Sequence, residues 1–68
     1  MDNVQVGDMV YIPEATRIWR AGEVRQIEIP ANFLVVATTP PSVGQITVLY
    51  EGERWALSLD HAYPLKEL

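Results

Sequence analysis

The sequence contains no cysteine and only one histidine, His61, and these two deficits exclude several kinds of site. Without cysteine the chain can form no disulfide, no thiolate metal cluster and no cysteine nucleophile. A single imidazole argues against a histidine-based zinc site and against a catalytic triad supported by a second histidine. Glycines are isolated and none precedes a Lys-Ser/Thr pair, so a phosphate-binding loop is not expected. We therefore predict no metal and no other cofactor.

Long apolar runs are also missing. The longest unbroken run covers residues 33–37, far short of the roughly 20 residues that span a bilayer. The acidic, polar residues 1–5 lack the basic-then-apolar order of a signal peptide. These features favour a soluble intracellular protein, cytoplasmic by default with the nucleus left open, and no membrane partner.

The chain has 68 residues, which predicts a single domain over residues 1–68. Apolar residues make up 49% and charged residues 21% of the sequence, a balance typical of a globular fold. The net charge of −4 disfavours nucleic acid as a partner.

Five prolines and four glycines divide the chain into short segments rich in Val, Ile, Tyr and Trp. Such segments favour β-strands over helices. We expect strands in residues 9–12, 18–29, 33–38, 45–50 and 53–59. Residues 59–65 are typical of one 3₁₀ turn followed by a short final strand.

A tight hairpin is predicted around Glu51-Gly52, because a two-residue turn with Gly second favours positive φ. Apolar and polar residues alternate on both sides of this turn. We expect the following side chains to face inward: Ile46, Val48, Tyr50, Trp55, Leu57 and Leu59.

The segment 18–29 breaks its own alternation. Trp19 and Ala21 fall on one face and Val24 on the other, with Gly22 between them. A β-bulge at Gly22-Glu23 would place the side chains of Trp19, Ala21 and Val24 all in the interior, and it would bend the strand.

Together these elements predict an all-β fold with five to six short antiparallel strands and a single 3₁₀ turn before the last strand. An open sheet of this size would expose its edges and one apolar face, so a small closed barrel is favoured. We predict an SH3-like barrel. An OB-like barrel is the alternative, for which the chain is short.

Three segments resemble Tudor and Agenet domains: Ile-Trp-Arg-Ala-Gly-Glu-Val at 18–24, Val-Leu-Tyr-Glu-Gly at 48–52 and Asp-His-Ala-Tyr-Pro-Leu at 60–65. A second likeness is to the SH3-like domain at the amino terminus of myosins, carried by residues 10–14 and 19–24. Both resemblances imply an SH3-like barrel. The Tudor resemblance further implies an aromatic cage of Trp19 and Tyr50 with Glu51 as the anion, which would read methylated Lys or Arg through cation–π attraction.

Residues 33–37 show no alternation and are more apolar than a surface connection. They form either a central strand covered on both faces or an interface. On the second interpretation, Phe33, Leu34 and Val36 would bind a partner protein, and residues 29–38 could support a homo-oligomer. The leading hypothesis is a non-catalytic protein-interaction module: an accessory subunit, an excised domain or a small protein inhibitor.

An enzyme is not predicted. Asp60 and His61 with Ser58 nearby are the one acid–histidine set, but adjacent residues of a turn seldom point at each other. The simpler interpretation is that Asp60 caps the turn and His61 is exposed.

Two further binding functions are less favoured. Four arginines could bind single-stranded nucleic acid, although salt-bridged strand faces explain them more simply: Arg17, Arg20, Arg25 and Arg54. Binding of proline-rich peptides is disfavoured, because the connection 14–17 is too short for the long acidic loop of that groove.

Overall fold

The computed structural model describes residues 4–40 and 43–65, which form an all-β domain. Its elements are β1 (Met9–Ile12), β2 (Arg17–Arg20), β3 (Glu23–Gln26), β4 (Ala31–Thr38), β5 (Gln45–Tyr50), β6 (Glu53–Ser58), one 3₁₀ turn (Leu59–His61) and β7 (Tyr63–Pro64). The all-β class, the antiparallel pairing and the 3₁₀ turn before the last strand are confirmed. The structure has seven strands, against the five to six predicted. Among these residues, no helix is long and apolar enough to cross a membrane.

The seven strands form one sheet in the order β3-β2-β6-β5-β4-β1-β7, and every pair is antiparallel. Within the described ranges, β3 and β7 are the two edges of this sheet. The first and last strands are neighbours, with Val10 opposite Pro64 and Tyr11 opposite Tyr63.

The core lies on one side of the strands, because alternate residues of each strand point to the same face. The buried apolar side chains are Val10, Ile12, Ile18, Ile27, Val35, Ile46, Val48, Trp55, Leu57 and Ala62. Val4, Phe33, Tyr50 and Leu59 pack against this cluster and are partly buried.

The hairpin of β5 and β6 is confirmed. Tyr50 pairs with Glu53 across a two-residue turn, and φ is 54° at Glu51 and 77° at Gly52. Positive φ at both turn residues matches the right-handed twist of the strands. This turn brings Val48 opposite Trp55 in the core.

The predicted bulge at Gly22-Glu23 is wrong. Residues 17–26 form a second hairpin, in which Arg20 pairs with Glu23 across the turn Ala21-Gly22. Gly22 has φ of 74°, so its missing Cβ permits a reversal of the chain where a bend was expected. The extra strand accounts for the higher strand count.

Because β2 and β3 form a hairpin, the connection between β1 and β4 is an 18-residue excursion covering residues 13–30. The connection 14–17, predicted from the sequence to be short, is short: only residues 13–16 separate β1 from β2. The path from β1 to β4 is longer because the β2–β3 hairpin lies within it.

Strand β4 is central, since its first half pairs with β1 and its second half with β5. The register with β5 shifts between Val35 and Ala37. This irregularity at Val36 breaks the alternation, which explains the continuous apolar run in the sequence. The run therefore belongs to an internal strand of the sheet, but Leu34 is 38% exposed, so the strand is not covered on both faces and the interface interpretation stays a prediction.

The 3₁₀ turn is capped by Ser58, whose side-chain oxygen accepts a hydrogen bond from the Asp60 backbone N–H at 3.3 Å. The prediction that Asp60 is the capping residue is corrected accordingly. His61 is exposed, as expected.

Candidate interaction face

Six large apolar side chains are exposed on the side of the sheet away from the core, five on four neighbouring strands and one just past the end of β7. They are Met9, Tyr11, Leu34, Leu49, Tyr63 and Leu65, with exposed fractions between 38% and 53%. We call this set the outer apolar face. Large apolar side chains that are exposed on neighbouring strands are candidates for an interaction site.

The pairing of β1 with its two neighbours builds the centre of the outer apolar face. Met9 lies opposite Leu34 on one side, and Tyr11 lies opposite Tyr63 on the other. Directly opposite residues of an antiparallel pair share a face, so these four side chains are adjacent. The Leu65 N–H donates to the Met9 carbonyl at 3.3 Å and extends the face past the end of β7.

The strand pattern shows why these residues cannot be buried. Val10 and Ile12 of β1 are fully buried, so alternation turns Met9 and Tyr11 outward. Leu49 precedes Tyr50 and follows the buried Val48, and it is turned outward by the same alternation.

Polar side chains border the outer apolar face. Asn32 lies opposite Tyr11, and Arg54 lies opposite Leu49. All six members are uncharged, while the borders carry hydrogen-bonding groups and one cation. An apolar centre with a polar rim is the usual anatomy of a protein–protein interface.

The predicted partner-binding residues do not share one surface. Leu34 belongs to the outer apolar face, with 38% of its side chain exposed. Phe33 points to the other side, where its ring meets Tyr50 edge-on with centroids 5.5 Å apart. Val36 is half-buried at the register shift of β4. Leu34 is therefore the member of that set available to a partner on this face.

The two halves of β4 have different neighbours: residues 31–34 pair with β1, whereas Val35, Ala37 and Thr38 pair with β5. The homo-oligomer predicted through residues 29–38 stays a prediction, for which β4 offers an exposed face. That face is represented by Leu34 and Asn32.

The predicted aromatic cage is not assembled. Trp19 lies opposite Ala56, and Ala56 points away from its buried neighbours Trp55 and Leu57. Tyr50 instead contacts Trp55 edge-on, with ring centroids 6.4 Å apart. Trp19 and Tyr50 therefore occupy opposite sides of the sheet.

Glu51, the predicted anion of that cage, accepts a hydrogen bond from Arg25 at 3.1 Å. The Arg25 guanidinium carbon lies 5.6 Å from the Tyr50 ring centroid and 5.5 Å from that of Trp55. The aromatic faces that could attract a foreign cation thus already hold one from this chain.

A second cation covers Trp55. The Arg20 guanidinium carbon lies 5.3 Å from the indole centroid, and Arg20 is ion-paired with Glu53. Trp55 itself is 2% exposed, and its Nε1 has no hydrogen-bond partner among the described residues. The two arginines thus shield the indole at the end of the core.

The four arginines do not form one basic patch. Arg20 and Arg25 are ion-paired with glutamates, as the salt-bridge interpretation expects. Arg54 borders the outer apolar face. Arg17 lies on β2 opposite Gln26. Strand β2 is the direct neighbour of β6, which carries Arg54, but Arg17 and Arg54 lie on either side of the Trp19–Ala56 pair.

The acid–histidine set is not arranged as a catalytic group. The hydrogen bond between Ser58 and Asp60 runs through the Asp60 backbone and leaves its carboxylate uninvolved. In residues 4–40 and 43–65, no group of three His, Asp or Glu side chains is placed to hold a metal ion.

Comparison with known proteins gives no match: no family model, curated protein or solved structure is similar enough to this chain to count. The functional interpretation therefore depends on the geometry of this chain.

Sequence reasoning missed five of the six members of the outer apolar face. Strand β1 reads Met-Val-Tyr-Ile, apolar at every position. Such a strand indicates covering on both faces, and that signal could have identified Met9 and Tyr11. The remaining residues are separated in sequence and meet only through strand pairing.

Proposed function

We propose that this chain is a non-catalytic protein-interaction module with an SH3-like barrel fold, which binds a partner protein through the outer apolar face. The observation that carries the proposal is the adjacency of Met9, Tyr11, Leu34 and Tyr63 across three paired strands. Four large side chains remain 38% to 53% exposed there.

The composition of the face fits the centre of a protein interface. Tyrosine is enriched where a few residues supply most of the binding energy, and Tyr11 and Tyr63 lie side by side. Methionine adapts its shape to an irregular partner surface, and Met9 lies between Leu34 and the β7 edge of the sheet. The strand order agrees with the SH3-like proposal, since an excursion separates β1 from β4 and a 3₁₀ turn precedes β7.

A reader of methylated side chains is the weaker alternative. Its two aromatic residues lie on opposite sides of the sheet, and its anion is bonded to Arg25. Binding of single-stranded nucleic acid is likewise not favoured, because two of its four arginines are ion-paired.

The test uses a charge placed within the outer apolar face and the same charge placed outside it. In Leu34→Glu the carboxylate enters the face. In Val43→Glu it replaces a side chain that is also apolar and 57% exposed but lies in the loop before β5. Wild type and both variants are used as bait in extract of the source cells, and captured proteins are identified by mass.

The proposal expects wild type and Val43→Glu to retain the same partner in stoichiometric amounts, and Leu34→Glu to retain at least about tenfold less. Unchanged circular dichroism and urea midpoint must accompany that loss. If Leu34→Glu does not fold, Tyr63→Ser gives the same comparison. Equal retention by all three proteins, or equal loss in both Glu variants, contradicts the proposal.

A further inference from the structure

The β3 edge of the sheet presents unpaired backbone groups. Strand β3 pairs with β2 on one side, and no other described strand lies beyond it. Its residues Glu23, Val24 and Gln26 are exposed. Free strand edges are templates for the addition of another strand.

The pairing register identifies which backbone groups are free. In a two-residue hairpin the pair next to the turn exchanges both hydrogen bonds, and bonded and non-bonded pairs then alternate. Arg20–Glu23 and Ile18–Arg25 are the bonded pairs by this rule. The N–H and C=O groups of Val24 and Gln26 therefore point away from β2, towards solvent.

A shallow depression runs along this edge. Its lining includes Glu14, Arg17, Val24, Gln26 and Glu28. Val24 is 67% exposed, and Ile29, just beyond the strand, is 75% exposed. These are the two most exposed large apolar residues of the described chain, so an added strand would find apolar contacts beside the free backbone groups.

The charge along the β3 edge is negative. Glu14, Glu23 and Glu28 are exposed and form no ion pair with the described residues. Arg25 is paired with Glu51, which leaves Arg17 as the cation of the edge without such a partner. Three carboxylates against one guanidinium favour a basic ligand and repel a second copy of the same edge.

We propose that the β3 edge binds an extended, lysine- or arginine-bearing segment of another protein, which adds to the sheet as an eighth strand. Backbone hydrogen bonds to Val24 and Gln26 would hold the segment, and its basic side chains would face Glu14 and Glu28. This site is separate from the outer apolar face, since β2 and β6 lie between them in the sheet. The outcome of a binding test at the β3 edge is therefore independent of whether the outer apolar face binds a partner.

The probe is a synthetic peptide of about eight residues, long enough to overlap a four-residue strand in either direction. Valine and lysine alternate in the probe, and its ends are capped. The control peptide carries glutamate in place of lysine. Two further lysine peptides carry backbone N-methyl groups on alternate residues, one peptide on its valines and the other on its lysines. Each of them therefore lacks the N–H donors along one edge of the extended peptide.

Titration is followed by the amide signals of the protein in NMR spectra. We expect the lysine peptide to shift the amide signals of Val24 and Gln26 and to slow the hydrogen exchange of these amides. The affinity for the peptide should fall as the salt concentration rises. The glutamate peptide should bind at least about tenfold more weakly. One N-methylated isomer should lose binding and the other should retain it, because a β-addition uses the donors of one peptide edge.

Two protein variants test the same site. Val24→Pro removes an outward N–H without breaking a bond to β2 and should weaken binding at least about tenfold, whereas Val24→Thr keeps that donor and should stay within about threefold. If Val24→Pro does not fold, Glu14→Lys with Glu28→Lys reverses the charge without altering the backbone. That variant should prefer the glutamate peptide.

Several results would overturn the proposal. They are the absence of binding at millimolar peptide, equal binding of both charge forms, equal effects of the two N-methylated isomers, or signal changes confined to the outer apolar face. Dimerisation of the protein through β3 would also overturn it, since a second copy would then be the occupant.

Discussion

Trp19 lies directly opposite Ala56, at the point where β2 pairs with β6. The indole of Trp19 is half-buried and lies on the side of the sheet away from the core. Tyr50 and Trp55 lie on the core side, where they contact each other. This arrangement separates the aromatic residues into two groups that cannot enclose one ligand.

The separation predicts that trimethyl-lysine peptides do not bind at Trp19. Tryptophan fluorescence should stay unchanged up to millimolar peptide, because a single exposed aromatic supplies only about 0.5–1 kcal/mol of cation–π attraction. Unmodified lysine peptide is the control. A fluorescence change specific to the methylated peptide and absent from Trp19→Ala would contradict this prediction.

The Arg25 side chain is predicted to stabilise the fold through the rings it covers. Arg25→Ala removes one ion pair and contacts with Tyr50 and Trp55, which should lower the free energy of unfolding by about 1 kcal/mol. Urea unfolding followed by fluorescence measures this. Arg54→Ala is the matched control, because Arg54 is exposed on the outer side and should change stability by less than about 0.5 kcal/mol. Equal effects of the two substitutions would refute a stabilising role of the rings.

Two leucines of neighbouring strands, one in the core and one on the outer apolar face, should differ in their contribution to stability. Leu57 is fully buried and Leu49 is 41% exposed. Leu57→Ala should cost about 2–5 kcal/mol, a large part of the roughly 5 kcal/mol expected of a domain this small. Leu49→Ala should cost less than about 1 kcal/mol. Thermal unfolding distinguishes them, and a reversed order would mean that the core is placed wrongly.

Backbone strain at Ala15 gives a stabilising substitution. Ala15 has φ of 68°, a conformation that disfavours a Cβ by roughly 1 kcal/mol. Ala15→Gly should therefore raise the free energy of unfolding, although glycine also loosens the unfolded chain.

Ala21→Gly is the control for that substitution, because Ala21 does not have positive φ. This change should lower the free energy of unfolding by about 0.5–1 kcal/mol. The two substitutions should change the free energy of unfolding in opposite directions. Urea unfolding of both variants measures this difference. A loss of stability in Ala15→Gly as large as that in Ala21→Gly would contradict the strain at residue 15.

Local patterns accounted for part of the fold. The β5–β6 hairpin was predictable because regular alternation on both sides of Glu51-Gly52 leaves one register that buries Val48 and Trp55. The hairpin at Ala21-Gly22 was not recognised, because its turn lacks the Asn or Asp that usually precedes glycine and because Trp19 is an apolar residue on the outer side.

Of the outer apolar face, only Leu34 was identified from the sequence, although the apolar pattern of β1 also pointed to Met9 and Tyr11. The members Met9, Tyr63 and Leu65 come from opposite ends of the described chain. Their adjacency depends on the pairing of β1 with β4 and β7, and the spacing of residues along the sequence does not encode such a long-range pairing. The β3 edge was missed for a related reason, since an edge exists only once the strand order is known.

The pairing of Val10 with Pro64 has a consequence for the order of folding. The two hairpins β2–β3 and β5–β6 close through two residues each, whereas β7 reaches β1 only after most of the chain has been enclosed. The entropy of closing a loop grows with its length, so this closure is expected late in folding and its reversal early in unfolding. A partner bound across Tyr11 and Tyr63 would join the two ends of that loop and lengthen the lifetime of the folded state.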